Sequence, residues 1–181
     1  MDQPLSTRPG KPALYRVQDS KLRLYLAILR GAREQVRRSR PTSAFRLVER
    51  RWSTWRGRMV EPLVREALEL AAVDGALGRD DIEAVGGWWN RAFDTEVDLV
   101  ALGRAPVARH VRLVGSIKWL AGPFDRHDMA DLAGAAPQIP GFDPDTTTLA
   151  VVSLSGLAPE VPAATIALNW GPEDLIAAWR G

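Results

Sequence analysis

The sequence predicts an α+β protein: a mixed central sheet flanked by helices and preceded by an N-terminal helical segment. Three observations carry this. Apolar residues recur at helical spacing through the first seventy-odd positions. From residue 82 the period falls to two. The order of elements is then helices, three strands, a helix, two strands and a last helix, which suits one sheet covered by helices.

Residues 1–12 hold three prolines and a glycine and read as a flexible leader. Leu14 to Val17 form a short strand candidate. Residues 20–38 read as a helix with Leu22, Leu26, Leu29 and Ala32 on its buried stripe, widened by Tyr25 and Ile28. Pro41 breaks the pattern, and Thr42 or Ser43 can cap a second helix. Its apolar stripe is Phe45, Val48, Trp52, Trp55 and Met59, with the arginines largely on the other surface. A third helix opens near Pro62, a residue favoured in a first turn. It carries Val60, Leu63, Val64, Ala67, Leu68 and Ala71 inward and stops at Gly75 and Gly78.

Strands are expected at 82–89, 96–102 and 111–119, the last two separated by a turn at 103–106. A short helix follows Gly122-Pro123, centred on 126–135, and 137–146 is a loop. Strands at 147–154 and 165–168 precede a helix opening at Gly171-Pro172-Glu173-Asp174. There proline pre-sets the first turn and the acids face the positive end of the helix dipole.

Composition narrows the chemistry. The 181 residues are 46% hydrophobic and 25% charged, as in ordinary globular proteins, and contain no cysteine. Disulfide scaffolds, Cys-ligated zinc, iron–sulfur clusters and cysteine nucleophiles are excluded. Two histidines, His110 and His127, exclude a multi-histidine metal site. No apolar run approaches a membrane span and no signal-peptide core opens the chain, so a cytoplasmic location without membrane partners is expected. The net charge of +2 conceals an asymmetry. Residues 1–58 carry 15 basic and 4 acidic side chains, and residues 59–181 carry 9 basic and 18 acidic. A basic arm beside an acidic body suits an anionic partner, or serves only to neutralise the body.

No phosphate-loop motif occurs, so nucleotide hydrolysis by this chain alone is not expected. Gly86-Gly87 precedes two tryptophans rather than a helix start, which excludes a dinucleotide-binding reading. Trp88 and Trp89 point to opposite faces of a strand, one in the core and one on a packing surface. Trp52 and Trp55 read as core anchors, and Glu66 and Glu69 as a solvated acidic edge. His127 reads as a surface residue. On the second strand Glu96, Asp98, Val100 and Leu102 share a face; on the third, Val114, Ser116 and Lys118 do. If the two strands pair antiparallel, Asp98 lies near Ser116 and Lys118. An Asp98–Lys118 ion pair is the plain reading and a functional site the other.

Four blocks carry a resemblance over residues 13–181: Tyr15-Arg16-Val17-Gln18-Asp19; Gly57 to Glu61 with Arg65-Glu66; Gly87-Trp88-Trp89 leading to Glu96–Leu102; and Gly115-Ser116-Ile117-Lys118-Trp119. The chain resembles the C-terminal domain of unknown function of the archaeal-type predicted P-loop ATPases, which is related to the PD-(D/E)XK nuclease fold. The resemblance implies a restriction-endonuclease-like domain over 59–181 behind a basic helical segment at 13–58. It implies Glu61, Asp98 and Lys118 as catalytic positions, with Ser116 standing where the family has a glutamate. Asp98 and Glu61, with Glu96 as a substitute, would hold Mg2+ or Mn2+ weakly, and the lysine would position or activate water. Loss of one carboxylate implies weak or absent nuclease activity.

The expected role is therefore nucleic-acid binding, DNA above RNA, by a degenerate nuclease-like domain. Its phosphate contacts are expected from Arg37, Arg38, Arg40, Arg46, Arg50 and Arg51, because guanidinium forks match phosphate geometry. An active Mg2+-dependent DNA nuclease is the first alternative. The second is an interaction domain whose helix 20–33 and tryptophans meet a P-loop ATPase domain or a second copy.

Overall fold

The computed structural model describes residues 2–9 and 12–180. Three helical stretches open the fold: α1 (Ser20–Leu24), a π-helical turn (Tyr25–Leu29) and α2 (Arg30–Arg37). They run on as one arm. Asp19 caps the arm by accepting a hydrogen bond from the Leu22 amide at 2.7 Å. The π turn inserts an extra residue and so rotates the face that follows it. A tight turn at Ser39, with φ of 57°, then leads into α3 (Pro41–Val73).

The structure merges the two helices expected on either side of residues 59–62 into α3, a single helix of 33 residues with Pro62 inside it. Pro41 occupies the first turn, and neither Thr42 nor Ser43 provides a side-chain cap. The boundary expected between residues 58 and 59 lies in mid-helix.

The sheet is five-stranded, in the order β1 (Ala84–Trp89), β2 (Glu96–Leu102), β3 (Val111–Lys118), β4 (Thr148–Ser153) and β5 (Leu168–Trp170). The first three strands pair antiparallel; β3 with β4 and β4 with β5 pair parallel. The parallel β3–β4 connection passes through α4 (Arg126–Ala135), and α5 (Pro172–Ala178) closes the chain. The mixed sheet flanked by helices is thus as expected. The strand placed at 165–168 lies at 168–170 instead, after a 3-10 turn at Ala163–Thr165, and Leu14 makes only an isolated bridge to Asp2.

Two apolar layers flank the sheet. On one face Val64, Leu68 and Ala72 of α3 meet Val85, Leu99, Leu113 and Val152. On the other, Val100, Leu102, Val114 and Val151 meet Phe124, Leu132 and Ile139 around α4. Leu5 of the expected flexible leader belongs to this second layer. Leu5 is buried beside Trp88, and its amide donates to the Gly87 carbonyl at 3.0 Å. The leader's residues 1, 10 and 11 lie outside the described residues. Burial of one leucine in this way contributes about 2 kcal/mol, enough to hold a short segment. Glu69 is not a solvated edge: its Oε1 accepts from the Val85 amide at 2.8 Å, covering the free side of the edge strand β1.

The glycine pair before the tryptophans has a packing reason. A Cβ on Gly86 would lie 2.8 Å from the Leu5 side chain, and one on Gly87 would lie 2.8 Å from the Arg65 guanidinium. The register shifts between Gly86 and Trp88, so a bulge forms where the side chain of Arg65 crosses the strand. Both Trp88 and Trp89 are buried, and the Trp89 indole donates to the Pro12 carbonyl at 2.8 Å. Neither is an open stacking platform.

Candidate functional site

Antiparallel pairing of β2 with β3 places Leu99 opposite Gly115, so Asp98 falls beside Ser116, as the alternation requires. The Ser116 hydroxyl donates to Asp98 Oδ2 at 3.0 Å, and the Ile117 amide donates to the same oxygen at 2.8 Å. Burial pushes the Asp98 carboxyl above the usual carboxylate range. The Ile117 amide, the Ser116 hydroxyl and the charge of Arg65 oppose that push, and Glu96 adds to it.

Lys118 does not reach Asp98. Its Nζ donates to both oxygens of Asp128 at 2.6 Å, with both side chains mostly buried. Asp128 is the third helical residue of α4 and closes a reciprocal cap with Asp125, whose own amide donates to Asp128 Oδ2 at 3.0 Å. The hydrogen bonds from the Asp128 and His127 amides, with Lys118 and His127 nearby, hold the exposed Asp125 carboxyl below its usual range. The ion pair expected between Asp98 and Lys118 is therefore replaced by a Lys118–Asp128 pair. Asp128 was missed because its partner depends on where α4 docks. Its only local signal is the Asp-x-x-Asp start of a helix after Pro123.

Glu61 stands on the other side of the sheet. It belongs to α3, whose inward residues pack against Leu99 and Leu113, whereas Asp98 alternates with Leu99 and faces α4. Its Oε2 accepts from Arg16 at 3.2 Å and lies 3.7 Å from Arg65. Arg65 connects the two faces: its Nε donates to the Asp98 backbone carbonyl at 3.0 Å through the Gly87 gap. Burial lowers the Arg65 pKa; Glu61, the next largest influence, raises it. The structure brings Asp98 and Ser116 together, with Glu96 on the rim of the same hollow, and keeps Glu61 and Lys118 with other partners.

That hollow, of about 140 Å³, is lined by Glu96, Asp98 and Ser116 from the sheet and by Asp128 and Asp131 from α4. Among the described residues no three His, Cys, Asp or Glu side chains group as a metal site. The carboxylates singled out by the sequence have other partners. Asp98 Oδ2 is saturated by two protein donors, Asp128 is occupied by an ammonium, and Glu61 is occupied by guanidinium groups. Near-octahedral Mg2+ or Mn2+ needs carboxylate oxygens free to share one ion. The residues present do not fit a resident divalent cation, and no hydrolytic step follows from them.

The predicted basic residues are exposed. Arg37, Arg38 and Arg40 cluster at the turn between α2 and α3; Arg46, Arg50 and Arg51 follow along α3. Arg38 shares an exposed ion pair with Glu34 at 3.2 Å, and Arg51 donates to the Ala27 carbonyl at 2.8 Å. Arg50 and Arg51 line a second hollow together with Arg16, Arg23 and Arg58. The sequence counts those last three in the basic segment but does not single them out, because only the folding of the arm onto α3 gathers them.

The expected apolar stripes are rotated. Leu22, Leu26, Leu29, Phe45, Trp52 and, further along α3, Leu63 are exposed, while Ile28, Ala32 and Ala44 are the buried residues of the arm and of the start of α3. His127 is a surface residue 3.6 Å from Asp131. No described helix is long and apolar enough to cross a membrane.

A family model described as archaea bacterial proteins of unknown function matches residues 25–128. No curated protein and no solved structure matches the chain.

Proposed function

We propose, on the premise that this chain belongs to that family of archaeal and bacterial proteins of unknown function, that it is a nucleic-acid-binding protein of degenerate nuclease-like fold. The observation that carries the reading is the exposed arginine row of the α2–α3 hairpin, running from Arg37 to Arg51. Arginine forks suit phosphate oxygens, and a row along one hairpin can follow a backbone. The resemblance to PD-(D/E)XK nucleases adds that the centre at Asp98 has turned structural: serine replaces a carboxylate and Lys118 serves Asp128. DNA is the favoured nucleic acid and the cytoplasm the favoured compartment.

The test is a fluorescence-anisotropy titration of labelled duplex and single-stranded DNA across a salt series, with cleavage followed in Mg2+ and Mn2+. Binding should weaken steeply with salt. Replacing Arg37, Arg38 and Arg40 by Gln should flatten the slope of log affinity against log salt by about 0.7–0.9 per lost phosphate contact. No cleavage is expected from the natural chain or from Lys118→Ala. Cleavage that Lys118→Ala abolishes would overturn the degenerate assignment. Absence of binding at low salt would overturn the function.

A second reading has its own observation. Leu22, Leu26 and Leu29 are each exposed on the arm, with Trp52 and Phe45 exposed on α3. Such a surface suits a protein partner, either a P-loop ATPase domain or a second copy. A concentration-dependent dimer without DNA affinity, seen by sedimentation, would favour it.

A further inference from the structure

We infer that the hollow between the 20–37 arm and α3 is a seat for one nucleoside phosphate unit: arginines take the phosphate and the apolar wall takes the base. This deepens the nucleic-acid reading and rests on it for the source of that unit, a nucleotide of a single strand, with a free mononucleotide as the other source.

The hollow measures about 590 Å³. That is within the range of about 300–1,000 Å³ for small-ligand sites. Arg23, Arg50, Arg51 and Arg58 line it, and no Asp or Glu among the described residues does. Arg16 also reaches it but is neutralised by Asp2 at 3.0 Å and Glu61 at 3.2 Å. The other four have no carboxylate within 4.0 Å among the described residues. Arg51 is oriented by its bond to the Ala27 carbonyl at 2.8 Å, which leaves most of its donors unused. Four uncompensated guanidinium groups around one concavity repel each other and concentrate an anion.

The rest of the wall is mostly apolar: Val17, Leu26, Ala27, Ile28 and Trp55, with Thr54 the one polar exception. Trp55 stacks obliquely on Trp52, with ring centroids 5.1 Å apart. Its indole N–H is buried with no acceptor among the described residues. A buried donor without a partner is costly, and a ligand carrying acceptors can supply one after a small turn of the ring. Phosphate on a guanidinium fork and a base on an apolar, indole-bearing wall are the two halves of nucleotide recognition. An acidic helix would instead need anchors spread over several turns, whereas these arginines surround one hollow.

The experiment follows tryptophan fluorescence and anisotropy with three probes: a single-stranded oligonucleotide of about ten nucleotides, AMP and inorganic phosphate. The variants are Arg23→Gln with Arg58→Gln in the hollow, Trp55→Phe on its wall, and Arg37→Gln with Arg38→Gln outside it. Far-UV circular dichroism and the thermal midpoint check that each variant is folded. Arg58→Lys keeps the charge without the fork and covers the case in which the double variant fails to fold.

The hollow variants should weaken oligonucleotide binding about tenfold or more, well beyond the outside pair, and AMP should compete where phosphate at equal concentration does not. AMP binding lost in the hollow variants, with no oligonucleotide binding, supports the seat with a free nucleotide as its source and overturns the nucleic-acid reading. Oligonucleotide binding that the hollow variants and AMP leave unchanged overturns the seat and spares the nucleic-acid reading. Silence from all three probes overturns both.

Discussion

Asp98 lines the hollow between the sheet and α4, where burial and the neutral donors Ile117 and Ser116 govern its carboxyl. Its carboxyl is raised above the usual range, so ionisation costs folding energy. The stabilising contribution of the neutral acid is complete below the unfolded value of about 3.9 and is lost as pH rises through the higher folded value. Relative to Asp98→Asn, which still accepts from Ser116 and Ile117, the natural chain should therefore gain stability as pH falls from 7 towards 4. Urea midpoints of both proteins at several pH values measure this; a difference growing in the opposite direction would refute it. Lys118 makes a second case at this scale. Truncating it strands Asp128 in a mostly buried position, so Lys118→Ala should cost about 1–3 kcal/mol in denaturant unfolding.

At the scale of elements, close approach explains what periodicity leaves blank. A Cβ on Gly115 would lie 2.4 Å from the Ala150 carbonyl oxygen, so β3 and β4 meet at that glycine with no room for a methyl. Gly115→Ala should destabilise by about 1–3 kcal/mol, read from the denaturant midpoint. Gly87→Ala should instead displace the Arg65 guanidinium and free the Asp98 carbonyl, a change visible in the backbone amide shifts of β2. The fusion of two expected helices into α3 belongs here too. Pro62 suits a helix start by its fixed φ, but the apolar layer beneath Val60, Val64, Ala67 and Leu68 continues on both sides of it. Packing along that layer outweighs the single lost backbone hydrogen bond.

Across the whole molecule, the basic half and the acidic half do not separate into independent bodies. Helix α3 carries arginines at its exposed beginning and the core contacts of the sheet at its end. The leader reaches back in the same way. Leu5→Ala should lower global stability by about 2–4 kcal/mol, because Leu5 is buried between Trp88 and the covering layer. A neutral outcome in thermal unfolding would return residues 2–9 to the role of a loose leader.

Alternation along β2 and β3, the helix starts after Gly122-Pro123 and at Gly171-Pro172, and the charge imbalance are local properties. The sequence alone therefore determined four of the five strands, the α4 and α5 helices, the Asp98–Ser116 neighbourhood and the arginine row. Only the tertiary structure decided which faces of the arm and of early α3 are buried. It also decided that Lys118 belongs to Asp128, that Glu61 lies across the sheet from Asp98, and that Arg23 and Arg58 join Arg50 and Arg51 around one hollow. Each of these depends on the rotation and docking of a helix against distant strands. A turn of one residue, such as the π turn at Tyr25–Leu29, swings a helix face by about 100° while the spacing of its apolar residues stays the same.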